Sequence, residues 1–284
     1  MSLIQKHRPN GIAVTDLSSQ LWCEKQLEFS LEKGRKKTKE MQKGKDRHQK
    51  LHEEIAELIK VEPKSREDKV ALLLCNTFVG VNRLLKENMT RELPIFGNIN
   101  SLFVKGCIDE LKIEDGTILI LDTKTRKTKN MPSYPQKRTT EFQLMLYKQL
   151  MDLITSNQFT CPNFLKFYKI DQNSNITEDF NSQLKEAGIE IGTNIEKLAK
   201  NTFGLLQQLP QTSDNLMIRY EHQETGELIG EDNFKFNYTF FRRNCDFTEE
   251  FWLGKREAIP VSEKAKWKCN FCEFREECAV RPKD

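Results

Sequence analysis

Residues 106–124 read GCIDELKIEDGTILILDTK, and this stretch decides the fold. Two runs rich in apolar and β-branched residues flank Asp115-Gly116, a dipeptide that favours the tight turn of a β-hairpin. Residues two apart on a strand point to the same face, so Asp122 and Lys124 project together from the second strand. Asp109, on the first strand, is expected beside them. The sequence therefore predicts a hairpin that carries two carboxylates and an ammonium on one face.

These acidic residues have the chemistry of a metal site. Two carboxylates that converge beside an apolar sheet repel each other unless a cation lies between them, and Mg²⁺ prefers such hard oxygen ligands. Lys124 would then orient a water or hold a phosphate oxygen. An exposed ion pair is the alternative for an aspartate two residues before a lysine, but the four apolar residues before Asp122 favour the metal site. His48, on an otherwise apolar helix face, is either a further ligand or a packed core histidine.

Helical and extended segments alternate along the rest of the chain. Apolar spacing predicts helices over 15–29, 38–60, 66–87, 139–154 and 195–208, strands over 95–113, 117–123 and 163–170, and a polar loop over 171–177. Thr15 or Asp16 is the expected N-cap of the first helix. Gln143 and Tyr147, one turn apart on the helix that follows the hairpin, either reach the same site or mark the edge of the core. This order predicts an α/β fold with a mixed sheet flanked by helices.

The composition is that of a chain with a sizeable core: 284 residues, of which 37% are hydrophobic and 31% charged. Mean hydropathy is -0.65 and no long apolar run occurs, so we expect no transmembrane helix. The stretch from Met1 to Asn10 has the pattern of neither a secretory signal nor a transit peptide. We therefore expect a soluble intracellular protein.

Basic residues are concentrated in two stretches, although the net charge is only +3. The first contains Lys33, Arg35, Lys36, Lys37, Lys39, Lys43, Lys45, Arg47 and Lys50, and the second contains Lys124, Arg126, Lys127, Lys129, Lys137 and Arg138. Local basic stretches on a nearly neutral chain indicate a groove that binds phosphates, whereas a solvated helix face is the alternative.

Four of the eight cysteines fit a metal-binding set. Cys269, Cys272 and Cys278 lie within ten residues near the end of the chain, and Cys23 is the candidate fourth ligand. Four thiolates hold either zinc or an iron–sulfur cluster, and a division of one plus three across the whole chain is less usual for zinc. We interpret the isolated cysteines as buried small hydrophobic residues: Cys75, Cys107, Cys161 and Cys245.

The order of these motifs resembles the exonuclease V family of RecB-like PD-(D/E)-x-K nucleases, which carry an iron–sulfur cluster. The resemblance covers about 14–278 and rests on Cys23, G-x-x-x-H (44–48), Glu92-Leu93-Pro94 with Gly97, G-x-x-D (106–109), D-x-K-T-R (122–126), Q-x-x-x-Y (143–147) and the Trp267-to-Cys278 motif. Single motifs of this kind are weak, and their joint order is specific. Nothing between 171 and 190 contributes to it.

The resemblance implies a restriction-endonuclease-like core over 11–255 and an iron–sulfur segment over 256–284 that Cys23 completes. It implies Mg²⁺-dependent hydrolysis of single-stranded DNA from a free end, with Mn²⁺ as a substitute, in nuclear or mitochondrial genome maintenance. The implied metal ligands are His48, Asp109, Asp122 and the Thr123 carbonyl, with Lys124 catalytic. The implied ligands of a [4Fe–4S] cluster are Cys23, Cys269, Cys272 and Cys278. Supporting or DNA-binding roles fall to Gln143, Tyr147, Arg126, Lys137 and Arg138.

Two other functions fit the same residues. One is a structure-specific endonuclease that cuts flaps with the same active site, and the other is a non-catalytic DNA-binding module held together by a metal. The joint presence of Asp109, Asp122 and Lys124 favours an enzyme over the second alternative. We expect a monomer that binds single-stranded DNA without a membrane, with a single-strand-binding protein as a candidate partner.

Overall fold

The computed structural model describes residues 2–35, 38–56, 60–171 and 173–280. The helices are α1 (Leu3–His7), α2 (Val14–Gln20), α3 (Glu24–Lys33), α4 (Lys39–Glu53), α5 (Arg66–Glu87), α6 (Tyr134–Thr155), α7 (Cys161–Tyr168), α8 (Glu178–Glu186), α9 (Ile195–Leu206) and α10 (Tyr238–Trp252). The strands are β1 (Ile12–Ala13), β2 (Met89–Ile99), β3 (Leu102–Glu114), β4 (Thr117–Arg126), β5 (Thr212–His222) and β6 (Leu228–Lys235). A 3₁₀ helix (Glu263–Phe271) follows α10.

The six strands form one mixed sheet, as the alternation of elements predicted. Its order is β1-β3-β4-β5-β6, and β2 pairs with β3 along its whole length. Pairing is antiparallel for β2/β3, β3/β4 and β5/β6, and parallel for β1/β3 and β4/β5. A parallel neighbour requires a long crossover, and the chain from α6 to α9 supplies it between β4 and β5.

The β3/β4 hairpin forms where the sequence predicts it. Asp115 and Gly116 both have positive φ, 48° and 72°, as a tight hairpin turn requires. The register pairs Glu114 with Thr117 and continues to Glu110 with Leu121. One step further along the strands lie Asp109 and Asp122, so the turn chemistry brings the two acidic residues to the same level of the sheet.

Long helices pack on the sheet through closely fitting contacts. α6 lies against β2, β4 and β5, and α5 packs on β2 and α9. Gly106 of β3 lies so close to α6 that a Cβ atom there would be 2.6 Å from the ring of Tyr147. Val14 of α2 fills the other side of the same glycine. The G-x-x-D motif therefore has a packing reason for its glycine, which lets α6 approach the acidic residues.

Three predicted elements differ from the structure. The segment 163–170 is not a strand, because Phe164, Phe167 and Tyr168 recur with helical spacing on α7. The segment 95–113 contains the second half of β2 and most of β3, and a turn at Asn100 separates the two strands. The segment 15–29 is divided between α2 and α3, and the chain breaks the helix just before Cys23.

The N-caps of α2 and α4 test the predicted starts of these two helices. Neither Thr15 nor Asp16 is the N-cap of α2, which is Ala13, although the Asp16 carboxylate accepts a hydrogen bond from the Ala13 N–H at 3.2 Å. Thr38 caps α4 and accepts from the Met41 N–H at 3.2 Å. The predicted extension of α4 across Leu58 and Ile59 lies outside the described residues. The helices over 66–87, 139–154 and 195–208 occur as predicted, within a few residues at their ends.

The two ends of the described chain contact each other. Arg256 donates to both carboxylate oxygens of Glu24 at 2.6 and 2.7 Å, and the buried Trp252 indole N–H donates to Gln20 at 2.9 Å. From 253 to 262 the chain forms turns and extended segments, so the predicted boundary at 255/256 falls between elements. Its role as a domain boundary stays a prediction. Within the described ranges, no helix is long and apolar enough to cross a membrane.

Candidate active site and cysteine cluster

The hairpin presents its two aspartates to the middle of α6. Asp122 is 1% exposed and lies 2.9 Å from the Nζ atom of Lys124. Asp109 Oδ2 accepts from the backbone N–H of Thr123 at 3.3 Å. Asp122 Oδ2 is buried, and within the described residues its close polar partner is the Lys124 ammonium at 2.9 Å, without a well-oriented hydrogen bond. A carboxylate oxygen has more than one lone pair, so this atom can accept an additional ligand.

A third acidic residue and a histidine complete this group. His48 of α4 lies with Nδ1 3.2 Å from Glu92 Oε1 and 3.5 Å from Asp109 Oδ2. One ligand atom from each of His48, Glu92 and Asp109 lies within 4.8 Å of the other two. We call these three residues together with Asp122 the acid cluster. Glu92 takes a left-handed conformation within β2, with φ of 52°, and such strain at a non-glycine residue is typical of functional positions.

The charges of the acid cluster shift the pKa values of its members. Burial and then the neighbouring Asp122 raise the pKa of Asp109 well above its ordinary value. The hydrogen bond with Glu92, followed by attraction to Asp109, raises the pKa of His48 to about 9 against the opposing effect of burial. Burial opposes ionisation of Glu92, yet the hydrogen bond and charge of His48 bring its pKa below the usual value. A proton on His48 thus provides part of the positive charge that the carboxylates require.

Gln143 and Tyr147 of α6 support the acid cluster from behind. The Gln143 amide Nε2 donates to Asp122 Oδ1 and to Tyr147 Oη, each at 3.3 Å. Both side chains are almost fully buried. Burial raises the pKa of Tyr147, and the nearby Asp109 raises it further, so the phenol stays protonated. Of the two alternatives for this pair, contact with the site is the one that the structure shows.

A groove runs from the acid cluster along α4. His48, Glu92, Thr123 and Lys124 line it together with the exposed Lys45. Four other cations of the first basic stretch are paired with acidic residues: Lys33 with Glu277, Arg35 with Glu273, Lys43 with Glu224, and Arg47 with Glu221. Lys36 and Lys37 lie outside the described residues.

In the second basic stretch, three lysines are likewise paired with acidic residues. Lys137 forms an ion pair with Asp232 at 2.8 Å, and Lys127 and Lys129 are also paired with glutamates. The half-buried Arg126 and Arg138 each have a buried Nε atom that donates no hydrogen bond within the described part of the chain. Among the cations predicted to bind DNA, these two are therefore better candidates than Lys137.

The four cysteines predicted as a ligand set line one pocket. Cys23, Cys269, Cys272 and Cys278 surround it with Trp22, Phe29 and Phe274 nearby. Burial raises the pKa of the Cys23 thiol, while backbone N–H groups of Gln26, Lys25 and Val261 act in the opposite direction. Several N–H donors aimed at one sulfur favour its thiolate form, which is the form that binds metals. We call these four residues the cysteine cluster.

The thiols of the cysteine cluster lie close enough to act on one another. Burial raises the pKa of Cys272, and Cys23, Cys269 and Cys278 all act on it as well. The pocket therefore offers four thiols to one metal group, and both zinc and an iron–sulfur cluster take such ligands.

The remaining cysteines follow the prediction with one exception. Cys75, Cys161 and Cys245 are buried. Cys107 is half-buried, and its thiol donates to Glu92 Oε2 at 3.4 Å. Cys107 thus contacts the acid cluster and is not simply a buried hydrophobic residue.

Glu92 is a site residue that the sequence patterns did not predict as a ligand. It appeared there only within the Glu92-Leu93-Pro94 motif, because neither its spacing nor its neighbours place it beside Asp109. The pairing of Leu93 with Ile108, next to both acidic residues, decides its position. The available signal was an acidic residue directly before Leu93-Pro94, three positions before the predicted strand over 95–113.

Comparisons with known proteins match the whole chain. The family described as exonuclease V, a 5′ deoxyribonuclease, matches over residues 2–117, 113–204 and 189–281. Exonuclease V of Danio rerio is 29% identical over 288 residues, which cover 99% of this chain and 73% of that protein. A mitochondrial exonuclease V of Candida dubliniensis is 28% identical over 82 residues, 29% of this chain and 12% of that protein. The solved structure of SSO0001 has a TM-score of 0.47 and 12% identity, covering 96% of this chain and 88% of that one.

The family match settles the class of the molecule. The chain belongs to the exonuclease V family, and it is a DNA exonuclease.

Proposed function

We propose that the protein hydrolyses single-stranded DNA from a free end, with Mg²⁺ held by the acid cluster. The observation that carries the proposal is the convergence of His48, Glu92 and Asp109 beside Asp122. Family membership supports the class of reaction, and this geometry supports the acid cluster as the place where it happens.

The acid cluster suits a divalent cation. Three carboxylates and one imidazole meet here, and the buried Asp122 Oδ2 is paired with the Lys124 ammonium. Hard oxygen donors are the ligands that Mg²⁺ and Mn²⁺ prefer. When bound, such an ion lowers the pKa of a water and stabilises charge on the phosphate and the leaving oxygen. The Thr123 carbonyl remains a proposed additional ligand.

The protein residues position the reacting groups. The Lys124 ammonium, which lies beside Asp122, is placed to hold the attacking water or a phosphate oxygen. Gln143 holds Asp122 in orientation through its amide, and the Thr123 N–H does the same for Asp109. This arrangement leaves little freedom at the reacting phosphate, which is how positioning contributes to rate.

We assign the cysteine cluster to a [4Fe–4S] cluster. Four thiols in one pocket and the N–H donors around Cys23 support a metal group, and the division of its ligands into one plus three across the chain favours the iron–sulfur cluster over one zinc ion. Bound there, the cluster would act as a structural crosslink between the two ends of the chain. A fold of the restriction-endonuclease type, with α6 and the β3/β4 hairpin as its catalytic elements, is part of the same proposal.

The biological role follows from the relatives. The family is described as a 5′ deoxyribonuclease, and yeast relatives are named mitochondrial. We therefore propose digestion from 5′ ends in mitochondrial or nuclear genome maintenance, by a monomer that acts on strands that a single-strand-binding protein also binds.

Digestion of end-labelled strands tests the proposal. The protein, purified anaerobically, is incubated with linear and circular single strands of equal length, with Mg²⁺, Mn²⁺ or EDTA. We expect cleavage of the linear strand alone, only with a metal. Cleavage of the circle would indicate an endonuclease, including the flap-cutting alternative. Binding without cleavage in every metal would instead indicate the non-catalytic module.

A further inference from the structure

A second cleft lies between the start of α6 and the C-terminal segment. It is lined by Gln20, Trp22, Arg138, Phe247, Ser262 and Lys268, among others. We call it the tail cleft. It shares Trp22 and Cys23 with the pocket of the cysteine cluster. Arg138 precedes Gln143 by five residues on α6, about 7.5 Å along the helix axis. The tail cleft is thus close in sequence and structure to both clusters.

The charges that line the tail cleft are unbalanced. They are Glu24, Arg138 and Lys268. Glu24 is already neutralised, because Arg256 donates to both of its oxygens and the Gln20 amide and Ile259 N–H donate to it as well, each at 2.9 Å. Arg138 and Lys268 therefore carry the remaining charge of the lining, and among the described residues neither lies within 4.0 Å of a carboxylate oxygen.

Neutral groups lie close to each of these cations, and one acidic group also acts on each: the Glu141 carboxyl on Arg138 and the Cys23 thiol on Lys268. The Arg138 guanidinium lies 5.2 Å from the ring centre of Phe240, and its buried Nε donates no hydrogen bond. The Lys268 ammonium donates to the Trp22 carbonyl at 3.1 Å and lies 4.6 Å from the Trp22 ring centre. Burial and then Arg138 lower the pKa of Lys268, which shows that the two cations are close.

Aromatic rings continue from the cleft to the surface. Trp22 meets Trp267 edge to face at 5.5 Å, and Trp267 meets Phe271 in the same way at 6.2 Å. Phe271 is 71% exposed, which is unusual for a side chain of this size. Cations beside aromatic rings with free faces are the combination that proteins use to bind single strands, on phosphates and bases respectively.

We propose that the tail cleft binds a stretch of single-stranded DNA outside the active site, with Arg138 and Lys268 on its phosphates and Phe271 stacked on a base. The proposal rests on the proposed function, and it adds a contact that lies away from the reacting phosphate. A strand that leaves the acid cluster past the start of α6 would reach this cleft. The cysteine cluster, which holds Trp22 and Lys268 in place, would then support DNA binding directly.

The test compares Arg138 with an arginine that is not part of the lining of the tail cleft. Arg138→Gln removes one of the two cations of the tail cleft. Arg242→Gln removes the same charge from α10, where Arg242 is paired with Asp246 at 3.4 Å and donates to Asn100 at 3.0 Å. Binding of a fluorescent 20-nucleotide oligothymidine is measured by anisotropy in EDTA, across a series of KCl concentrations. Thermal melting checks that each variant keeps its fold, and visible absorbance checks that it keeps the iron–sulfur cluster.

We expect Arg138→Gln to weaken binding and to reduce the slope of log affinity against log salt by about 0.7, the value for one phosphate on a single strand. Arg242→Gln should match the wild type. Phe271→Ala should weaken binding by about tenfold with the slope unchanged, because stacking releases no counterions. With Mg²⁺, Arg138→Gln should raise KM and leave kcat unchanged.

The test separates failure of the tail-cleft proposal from failure of the proposed function. If the wild type binds and cleaves single strands while Arg138→Gln and Phe271→Ala bind as the wild type does, the tail-cleft proposal is overturned and the proposed function stands. If the wild type cleaves no single strand under any metal, the proposed function itself fails.

Discussion

The acid cluster and the cysteine cluster are assembled in different ways. Asp109 and Asp122 meet because one hairpin carries both, and its turn sets their level on the sheet. Cys23 meets Cys269 only when the two ends of the chain come together. The first cluster is thus held by local pairing in the middle of the sheet, whereas the second depends on contacts between distant segments. Loss of a ligand should therefore affect chemistry in the first case and folding in the second.

The largest effect is expected in the acid cluster. Asp122→Asn should lower kcat by about a thousandfold or more, because the lost carboxylate contributes several kcal/mol through the metal and each 1.36 kcal/mol is tenfold in rate. Binding of DNA and the melting temperature should stay close to those of the wild type, and Asp109→Asn should behave similarly. Single-turnover digestion of end-labelled strands measures the rate.

Glu114→Gln is the matched control for that substitution. Glu114 is exposed at the turn end of the same hairpin, so its variant should keep full activity. Substantial Mg²⁺-dependent cleavage by a clean Asp122→Asn preparation would refute the assignment of the active site.

The cysteine cluster should show the opposite pattern. Cys23→Ser and Cys272→Ser should each lose iron and colour, bind DNA poorly, and melt roughly 10 °C lower, because ligation of the cluster contributes directly to folding. Iron analysis, absorbance and thermal melting under anaerobic conditions measure these effects. Equal effects of the two substitutions would show that Cys23 and Cys272, from opposite ends of the chain, bind the same iron–sulfur cluster.

Cys161→Ser separates ligation from burial. Cys161 is buried on α7 and should keep iron and colour after substitution. A colourless wild type with stoichiometric zinc would overturn the [4Fe–4S] assignment. Full iron content in Cys23→Ser would mean that another residue is the fourth ligand.

Glu92 sharpens the comparison within the acid cluster. Glu92→Gln should raise the Mg²⁺ concentration for half-maximal activity roughly tenfold or more, because it weakens a ligand or the orientation of His48. A titration of activity against Mg²⁺ measures the shift. Glu53→Gln, an exposed change on the helix that carries His48, should leave the titration unaltered. An unchanged Mg²⁺ requirement in Glu92→Gln would exclude Glu92 from the site.

The smallest effect is expected from single cations along α4. Lys45→Gln should reduce the salt slope of single-strand binding by about 0.7, since Lys45 lines the groove and is exposed. Lys43→Gln should change it less, because Glu224 already lies 3.5 Å from that ammonium. The combined neutralisation of Lys36, Lys37 and Lys39 should also flatten the slope. Equal slopes for all variants would mean that this stretch is only a solvated face.

The sequence predicted the hairpin and its acidic residues because their signals are local. A turn dipeptide and a two-residue period suffice to place Asp122 beside Lys124. The same approach failed at 163–170, where aromatic residues fit both strand and helix and the tertiary packing of Phe164 in the core selects the helix. The strands β5 and β6 and the helix α10 were not predicted, although burial alternates along much of β6 and the buried residues of α10 recur at helical spacing.

By itself, the sequence determined the α/β class, the β3/β4 hairpin and two sets of candidate ligands, since residue type and short spacing carry that information. Only the tertiary structure decided that Glu92 joins His48 and Asp109, that Lys137 is paired with Asp232 while the Arg138 Nε donates no hydrogen bond within the described residues, and that a cleft lies beside the cysteine cluster. The physical reason is that a charge acquires its role from the charges around it. Those neighbours come from strands and helices that are distant along the chain and adjacent only after folding.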